Sequence, residues 1–591
     1  MTLSQCHNAH KRGARFADGG CRCYSFGMKL IPLSGRRGAA ALCILLSACA
    51  AGPLNAIGGP GKPGPAYGAY LAARYADDTG DPAQAAKYYR LALHAAPDNQ
   101  ELIAEGFMAG VLSGDAGTAA LASRQPHNVL ATMLLGNHAA AAGDFATAQA
   151  DFAALPQDDL TGLIKPLLLA WAQYGQGNEQ AALNGLGPYF NNGNFGEVYV
   201  LNAALIADAA GDTKNAAQLY GAVDGSQPNL RMAQILASWY TRQGQNGQAM
   251  AELSALMAVH PDLALAMPAM EMQLGKPVIN SATDGMAEAY LTLAGSLTQP
   301  QAALLRIAFL RFALGLRPDL TAARLLLADT QTGADNTTVP PTPVQMQNAL
   351  DTLAPVQKTD PLYAPAALQQ ATLLSALNRT DEAVALLQGV LVNAPHDPTL
   401  LSTIADTLRQ GSQYAAAIPY YNQALAALGP NPPASAWTLY FDRGICEDQL
   451  GNWDKAQPDM QMALQLSPSQ PYVLNYMAYS WAVHGQNLPQ AKDMLTKAVA
   501  LDPNDGAVID SLGYVEMKLG DTQGALTLLT QAVQLSADDA EVNGHLGDAF
   551  WQAGRPLQAD YQWQRALSLH PDAKLKAELQ GKISAHFGTA P

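Results

Sequence analysis

Cysteine is scarce in this chain and badly placed for cross-links: of six in 591 residues, four lie within the first 48, which read as a removable leader. The two that remain, Cys49 and Cys446, provide no intramolecular disulfide framework, so the fold has to hold by packing alone. Cys446, beside Gly444 on an expected helix, is read as a buried, inert thiol. Positive charge is also short, with 34 Lys and Arg against 49 Asp and Glu and a net charge of −15. Without residues 1–48, which hold seven basic and one acidic residue, 27 basic face 48 acidic groups, a net charge of −21. That balance argues against a nucleic-acid ligand, because phosphate binding rests on basic patches. Long apolar runs are missing after the leader, and nothing there is long enough to cross a bilayer.

Catalytic signatures are absent as well. There is no HExxH, GxSxG or GxxxxGK[ST] motif, and GGPGKPG near residue 60 lacks both the spacing and the following helix of a phosphate loop. The CRC stretch at Cys21 and Cys23 lacks zinc-ligand spacing. His260, His396 and His570 each precede a proline at a helix end, where a polar, partly cationic side chain suits the terminal carbonyls better than a metal site. His545 and Asp548, three apart on one expected helix, are the sole pair resembling a catalytic couple, and without further ligands they read as scaffold. No cofactor, metal or enzymatic activity is expected.

What is present is a period. HLGDAFWQAGRPLQADYQWQRALSLHP from His545 matches SLGYVEMKLGDTQGALTLLTQAVQL from Ser511, 34 positions upstream, and YMAYSWAVHGQNLPQAKDMLTKAVALDP from Tyr476 before it. Gly547, Gly513 and Ala478 coincide, as do Ala559, Ala525 and Ala491, and then Ala566, Ala532 and Ala498. Apolar residues recur at helical spacing on both sides of a break at Gly554, Gly520 or Gly485, which predicts two antiparallel helices per unit. Small residues let them approach closely, larger ones such as Phe550 and Trp563 fill the space between units, and Pro571 stops the second helix. Turn glycines continue upstream at Gly80, Gly114, Gly143, Gly177, Gly211 and Gly244, each followed five places later by an alanine. About a dozen units are recognisable.

The frame weakens from 266 to 353, where the polar stretch 332–344, TGADNTTVPPTPV, reads as an inserted loop or hinge between two superhelical halves. The expected organisation is an N-terminal array over 67–265, degenerate helical repeats over 266–353 and a C-terminal array over 354–572. A solvating cap helix and tail occupy 573–591, because a stack needs a polar lid. Residues 1–27 carry no apolar periodicity, and the expectation is that translation begins at Met28. Residues 28–48 form a signal peptide, with basic Lys29, Arg36 and Arg37 ahead of GAAALCILL. Residues 49–66, rich in Gly and Pro, are a flexible tether whose reach from Ala50 to Ala66 is at most about 55 Å.

Two resemblances follow from these residues. The repeat resembles the tetratricopeptide pattern, which implies an all-α helix-turn-helix solenoid, a right-handed superhelix whose first helices line a concave groove. Carried over to this chain, the groove positions are the second, fifth, ninth and twelfth of each repeat: Thr438, Phe441, Ile445 and Asp448; Tyr472, Asn475 and Tyr479; Asp510, Tyr514 and Met517; and Asp548 and Trp551. That outlines an aromatic and acidic groove suited to protein or peptide partners. The alternative is that Tyr479 and Tyr514 pack between helices and the aspartates cap them. The groove lacks the lysines that let some relatives clamp a terminal carboxylate. Leu46-Ser47-Ala48-Cys49 resembles the lipobox of bacterial lipoproteins, implying lipidation of Cys49, with ordinary secretory cleavage as the alternative; Ala50 instead of aspartate favours the outer membrane.

VLNYMAYSW, VIDSLGYV and HLGDAFWQAGR further resemble tetratricopeptide lipoproteins of Gram-negative envelopes, some of which hold a periplasmic protease and deliver cell-wall hydrolases to it. This chain departs from them at Gly544, where relatives tend to carry an acid. The resemblance implies a lipid-anchored periplasmic adaptor. The rival expectation is an assembly factor for an envelope export, pilus or polysaccharide machine.

Overall fold

The computed structural model describes residues 65–157, 161–223, 229–333 and 340–587. The leader, Cys49, the tether up to residue 64 and positions 334–339 of the expected loop lie outside the described residues. Among the described residues all regular structure is helical. These residues fall into two compact units, 65–379 and 380–587.

The N-terminal unit contains α1 (Pro65–Asp78), α2 (Pro82–Ala95), α3 (Gln100–Ser113), α4 (Thr118–Ala122), α5 (Val129–Ala141), α6 (Phe145–Ala154), α7 (Thr161–Gly175), α8 (Glu179–Leu186), α9 (Gly196–Ala210), α10 (Thr213–Tyr220), α11 (Leu230–Arg242) and α12 (Asn246–Val259). It continues through α13 (Met267–Gln273), α14 (Ala282–Ser296), α15 (Ala303–Leu316), α16 (Thr321–Thr332), α17 (Pro343–Leu353) and α18 (Tyr363–Ala376). The C-terminal unit contains α19 (Thr380–Leu391), α20 (Pro398–Gln410), α21 (Tyr414–Leu428), α22 (Trp437–Gln449), α23 (Trp453–Leu466), α24 (Pro471–Val483), α25 (Leu488–Leu501), α26 (Gly506–Leu519), α27 (Thr522–Leu535), α28 (Ala540–Gln552), α29 (Pro556–Ser568) and α30 (Ala573–Phe587).

A two-residue device makes many of the turns. Gly80, Gly143, Gly211 and Gly520 take φ between 77° and 89°, the left-handed conformation that closes a first helix and that only glycine adopts without steric cost. The aspartate that follows each one caps the second helix. Asp81, Asp144, Asp212 and Asp521 accept from Gln84, Thr147, Asn215 and Gly524 backbone N–H groups at 2.9–3.1 Å, satisfying donors that the helix start leaves unpaired.

The small positions pack as the period requires. Ala525, Ala532, Ala559 and Ala566 are fully buried. A side chain on Gly513 would meet Leu529 at 2.7 Å, and one on Gly547 would meet the Trp563 indole at 2.5 Å. Phe550 packs against both the Leu526–Leu546 cluster and the Trp563–Leu579 cluster, joining successive repeats. The last helix, α30, inserts Leu579, with no exposed surface, against the final repeat, while Lys574, Lys576 and Gln580 face solvent. It serves as the polar lid of the stack.

The N-terminal unit departs from the expected simple array. Helices α14 and α15 pack against α3, α5, α7, α9 and α11, the first helices of successive pairs, whose faces would otherwise line the groove. Tyr290 donates to Asn137 Oδ1 at 3.1 Å across 153 residues of sequence. The Glu288 carboxylate receives Arg231 in a forked pair, with contacts of 2.6–3.2 Å. Arg311 donates to the Leu112 carbonyl at 3.0 Å, and Gly285 lies directly against the Trp171 ring. Between α9, α11 and α14 a cleft of about 40 Å³ remains, bounded by Glu197, Asn229, Arg231 and Glu288, room for a few waters. Residues 266–379 therefore belong to the N-terminal unit, and the division falls after Arg379 instead of at the 332–344 loop. The reason is that α14 to α16 bury most of their residues in that unit.

Candidate functional site

In the C-terminal unit the main helix contacts join only neighbours along the stack, and the first helices α22, α24, α26 and α28 present the second, fifth, ninth and twelfth positions of their repeats. Their side chains form three layers. In the middle layer Tyr479, Tyr514 and His545, one from each of three successive first helices, stack with ring centroids 5.3 and 4.6 Å apart. Tyr479 Oη donates to Glu541 Oε1 at 3.2 Å, two repeats away. His545 Nδ1 lies 2.8 Å from Asp510 Oδ2, and its Nε2 lies 3.9 Å from Glu541.

Burial alone would pull the His545 pKa down, but the charge and hydrogen bond of Asp510, with Glu541 beside them, push it up to about 9. Burial pushes Glu541 up to about 7; the His545 cation opposes this and the Asp510 charge adds to it. At neutral pH His545 is therefore an imidazolium facing Asp510, with Glu541 poised to titrate. Two members of the cluster are incompletely bonded. Asn475 and Asp510 are each 1% exposed, yet neither amide atom of Asn475 has a hydrogen-bond partner, nor does Asp510 Oδ1.

The outer layers differ. On one side Phe441 meets the edge of Tyr476 at 5.8 Å, Tyr476 donates to Asp448 Oδ2 at 2.9 Å, and burial raises the Asp448 pKa, against the Tyr476 hydrogen bond and the His484 charge. On the other side Asp548 accepts from Trp563 Nε1 at 2.9 Å and Lys582 Nζ at 2.7 Å, and the Trp551 ring stacks on His586 at 3.8 Å. Tyr472 and Met517 are half-buried, and Met517 packs beside Leu526 and Leu546.

The twelve groove positions lie on consecutive first helices with unequal exposure. Asn475, Tyr479 and Asp510 are floor residues bonded or packed from below. Phe441, Asp448, Tyr472, Tyr514, Met517 and Asp548 are half-buried, and Trp551 is exposed. Two placements need correction. Asp548 does not offer a free carboxylate, because the cap helix α30 has supplied Lys582 to it. Ile445 points into the core, 6% exposed, since its helix turns that face towards Met477 and Trp453. His545 and Asp548 form no couple: each faces a different repeat.

Glu541 escaped the sequence reading, although it stands at the second place of its repeat, the place Thr438 and Tyr472 hold in theirs. Cys446 is fully buried, and burial pushes its thiol up to about 12. Among the described residues no group of three His, Cys, Asp or Glu could hold a metal ion, and no helix is long and apolar enough to cross a membrane.

A tetratricopeptide-repeat family profile matches residues 368–433, 402–471 and 511–578, with Tyr472, Asn475, Tyr479 and Asp510 lying between the last two matches. The fold is a tetratricopeptide-repeat solenoid. A TPR repeat-containing protein of Pseudomonas aeruginosa is 27% identical over 187 residues, covering 32% of this chain and 31% of that protein. Sperm-associated antigen 1 of Rattus norvegicus is 29% identical over 134 residues, 23% of this chain and 14% of that one. The chain therefore spans under a third of the length of these curated relatives. Among solved structures, the Cut9–Hcn1 heterotetramer of APC/C aligns over 88% of this solenoid and 96% of its own chain, with 16% identity and a TM-score of 0.35.

Proposed function

We propose that this solenoid is a non-catalytic scaffold that binds partner proteins or peptides along the groove of its C-terminal unit. One observation supports this above the others: in the N-terminal unit the chain's own α14 and α15 occupy the faces of the first helices, whereas in the C-terminal unit the main contacts of the first helices are with their neighbours in the stack. The groove so left is rimmed by Phe441, Tyr472, Tyr514 and Trp551, rigid aromatic side chains that give large contact area at low entropic cost.

The finer reading is a lipoprotein anchored through Cys49 on the periplasmic face of the outer membrane, where it presents a protease or a cell-wall hydrolase to its counterpart. It rests on the resemblance of the Leu46–Cys49 stretch and of the three C-terminal motifs. The second reading, an assembly factor for an export, pilus or polysaccharide machine, shares the groove and differs in the partner. Affinity capture with the full chain, wild type beside a Tyr514→Ala/Trp551→Ala variant, tests both. A protease or hydrolase retained by the wild type and lost by the variant supports the adaptor; export subunits with the same behaviour support assembly. Partners held equally by both forms would remove the groove from the account. Mass spectrometry of the mature amino terminus tests the anchor: a lipid-modified Cys49 is expected, and an unmodified terminus elsewhere would refute it.

A further inference from the structure

The polar cluster on the groove floor is net negative: two carboxylates, Asp510 and Glu541, face one cationic side chain, His545. Asp510 and Glu541 bring four carboxylate oxygens and Asn475 a fifth acceptor. His545 Nδ1 and Tyr479 Oη are the side-chain donors placed on the two acids. Asp510 Oδ1 and both amide atoms of Asn475 lack partners at 99% burial. Such groups are costly to leave unbonded inside a protein, and a native structure normally gives each a partner. The cluster is not sealed: the Glu541 side chain keeps 14% of its surface and that of His545 keeps 10%, so its edge opens on the groove.

The missing partner has to be rich in donors and positive. An anion would meet Asp510 and Glu541, and an apolar group would leave the same atoms orphaned. A lysine ammonium offers three donors and an arginine guanidinium five. The Tyr514 ring beside the cluster already carries one cation of this chain, the Lys518 ammonium 5.0 Å from its centroid, so these surroundings suit a positive group. The same chain shows this chemistry one repeat further on. There Lys582 of α30 places its ammonium 2.7 Å from Asp548, beside Trp563, which donates to the same carboxylate, and one helical turn from Trp551.

We propose that Asn475, Asp510 and Glu541 form a subsite for one lysine or arginine side chain of the bound partner, with the unpaired Asn475 amide left to bond the peptide backbone next to it. This deepens the proposed function and rests on the C-terminal groove being the binding surface.

The test is selection of random dodecapeptides displayed on phage against the full chain, followed by affinity measurement of the selected peptides in solution. The subsite predicts a basic residue at a fixed position among peptides that Tyr514→Ala fails to bind. Affinity should fall at least tenfold in Asp510→Asn and in Glu541→Gln, by a similar factor when the peptide's lysine is replaced by norleucine, and no further when the two changes are combined. Asp493→Asn, on the exposed face of α25, should change nothing. Groove-dependent peptides without a fixed basic residue, or with undiminished affinity for both isosteric variants, would overturn the subsite and leave the groove reading standing. An equal loss in Asp493→Asn would mean general attraction to an acidic protein and would also overturn it. Failure to select any peptide sensitive to Tyr514→Ala would overturn the groove reading itself. If Asp510→Asn lowers helicity or melting temperature, Glu541→Gln and the norleucine peptide carry the comparison.

Discussion

The two units are written in one grammar of turn glycines, capping aspartates and buried alanines, yet they use the resulting concave faces differently. In the N-terminal unit the first helices are covered by α14 and α15, and the contacts reach across as many as 199 residues of sequence. In the C-terminal unit the first helices meet mainly their neighbours, with Tyr479 reaching Glu541 two repeats on, and the groove floor is closed by Tyr479, Tyr514 and His545 instead of by another helix. A repeat array can thus become a self-filled block or an open trough without any change in its repeating part. What decides is whether a non-repeating segment elsewhere in the chain has enough apolar surface to fill the groove.

That contrast can be broken from either side. The largest effect is expected from Glu288→Ala, which leaves the Arg231 guanidinium partly buried without its counter-charge. A loss of about 3–5 kcal/mol from the N-terminal unit should appear in thermal unfolding, while groove-dependent peptide binding in the other unit stays unchanged. A melting curve indistinguishable from wild type would show that α14 is not held by this pair. Next comes Gly513→Leu, which forces α26 away from Leu529 and should cost about 3 kcal/mol, here lowering the C-terminal transition and peptide affinity together. Intact stability in that variant would mean that the helix pair is not closely packed at this position.

A pH series sharpens the same comparison. The folded pKa of His545 lies above its unfolded value, so its contribution is complete below about pH 6.5 and is lost as the pH rises through about 9. Glu541, held near 7 instead of its ordinary value, likewise favours the folded state at lower pH and loses that contribution between about 4.5 and 7. The C-terminal unit should therefore lose on the order of 2 kcal/mol between about pH 7 and 8.5, and His545→Gln should flatten the profile above pH 7. A rise in stability over that range, or an equal slope in the variant, would contradict the pairing with Asp510. The smallest effect is that of Trp551→Ala, about 1 kcal/mol or fivefold in partner affinity, since part of the ring is already engaged by His586. No loss of affinity would place the contact surface further towards α22.

Several features were legible in the residues alone. Gly520 and Gly554 marked turns because a left-handed residue is needed there, and Ala525 and Ala532 marked close approach because their places repeat. The groove frame was also legible, but not which of its side chains remain available. Asp548 looked like a binding carboxylate because Lys582 stands 34 residues away, on a helix recognised only as a cap. Filling of the N-terminal groove went unseen, although one clue was present: in ALLRIAFLRFALGL of α15 only Arg306 and Arg311 are polar, and the apolar residues spread around the helix, the mark of a helix largely surrounded by protein.

The amino-acid sequence by itself determined the helix pairs, their turns and their order of stacking, because each of those contacts joins residues one repeat apart and therefore leaves a period of about 34 in the chain. Tertiary structure alone decided which groove is occupied, that His545 belongs to Asp510 and not to Asp548, and that Asn475 lies unbonded on the floor. Contacts such as Tyr290 with Asn137 recur at no fixed interval. They are set by how far the superhelix curves and by what shape then fits its hollow, quantities that no single repeat encodes.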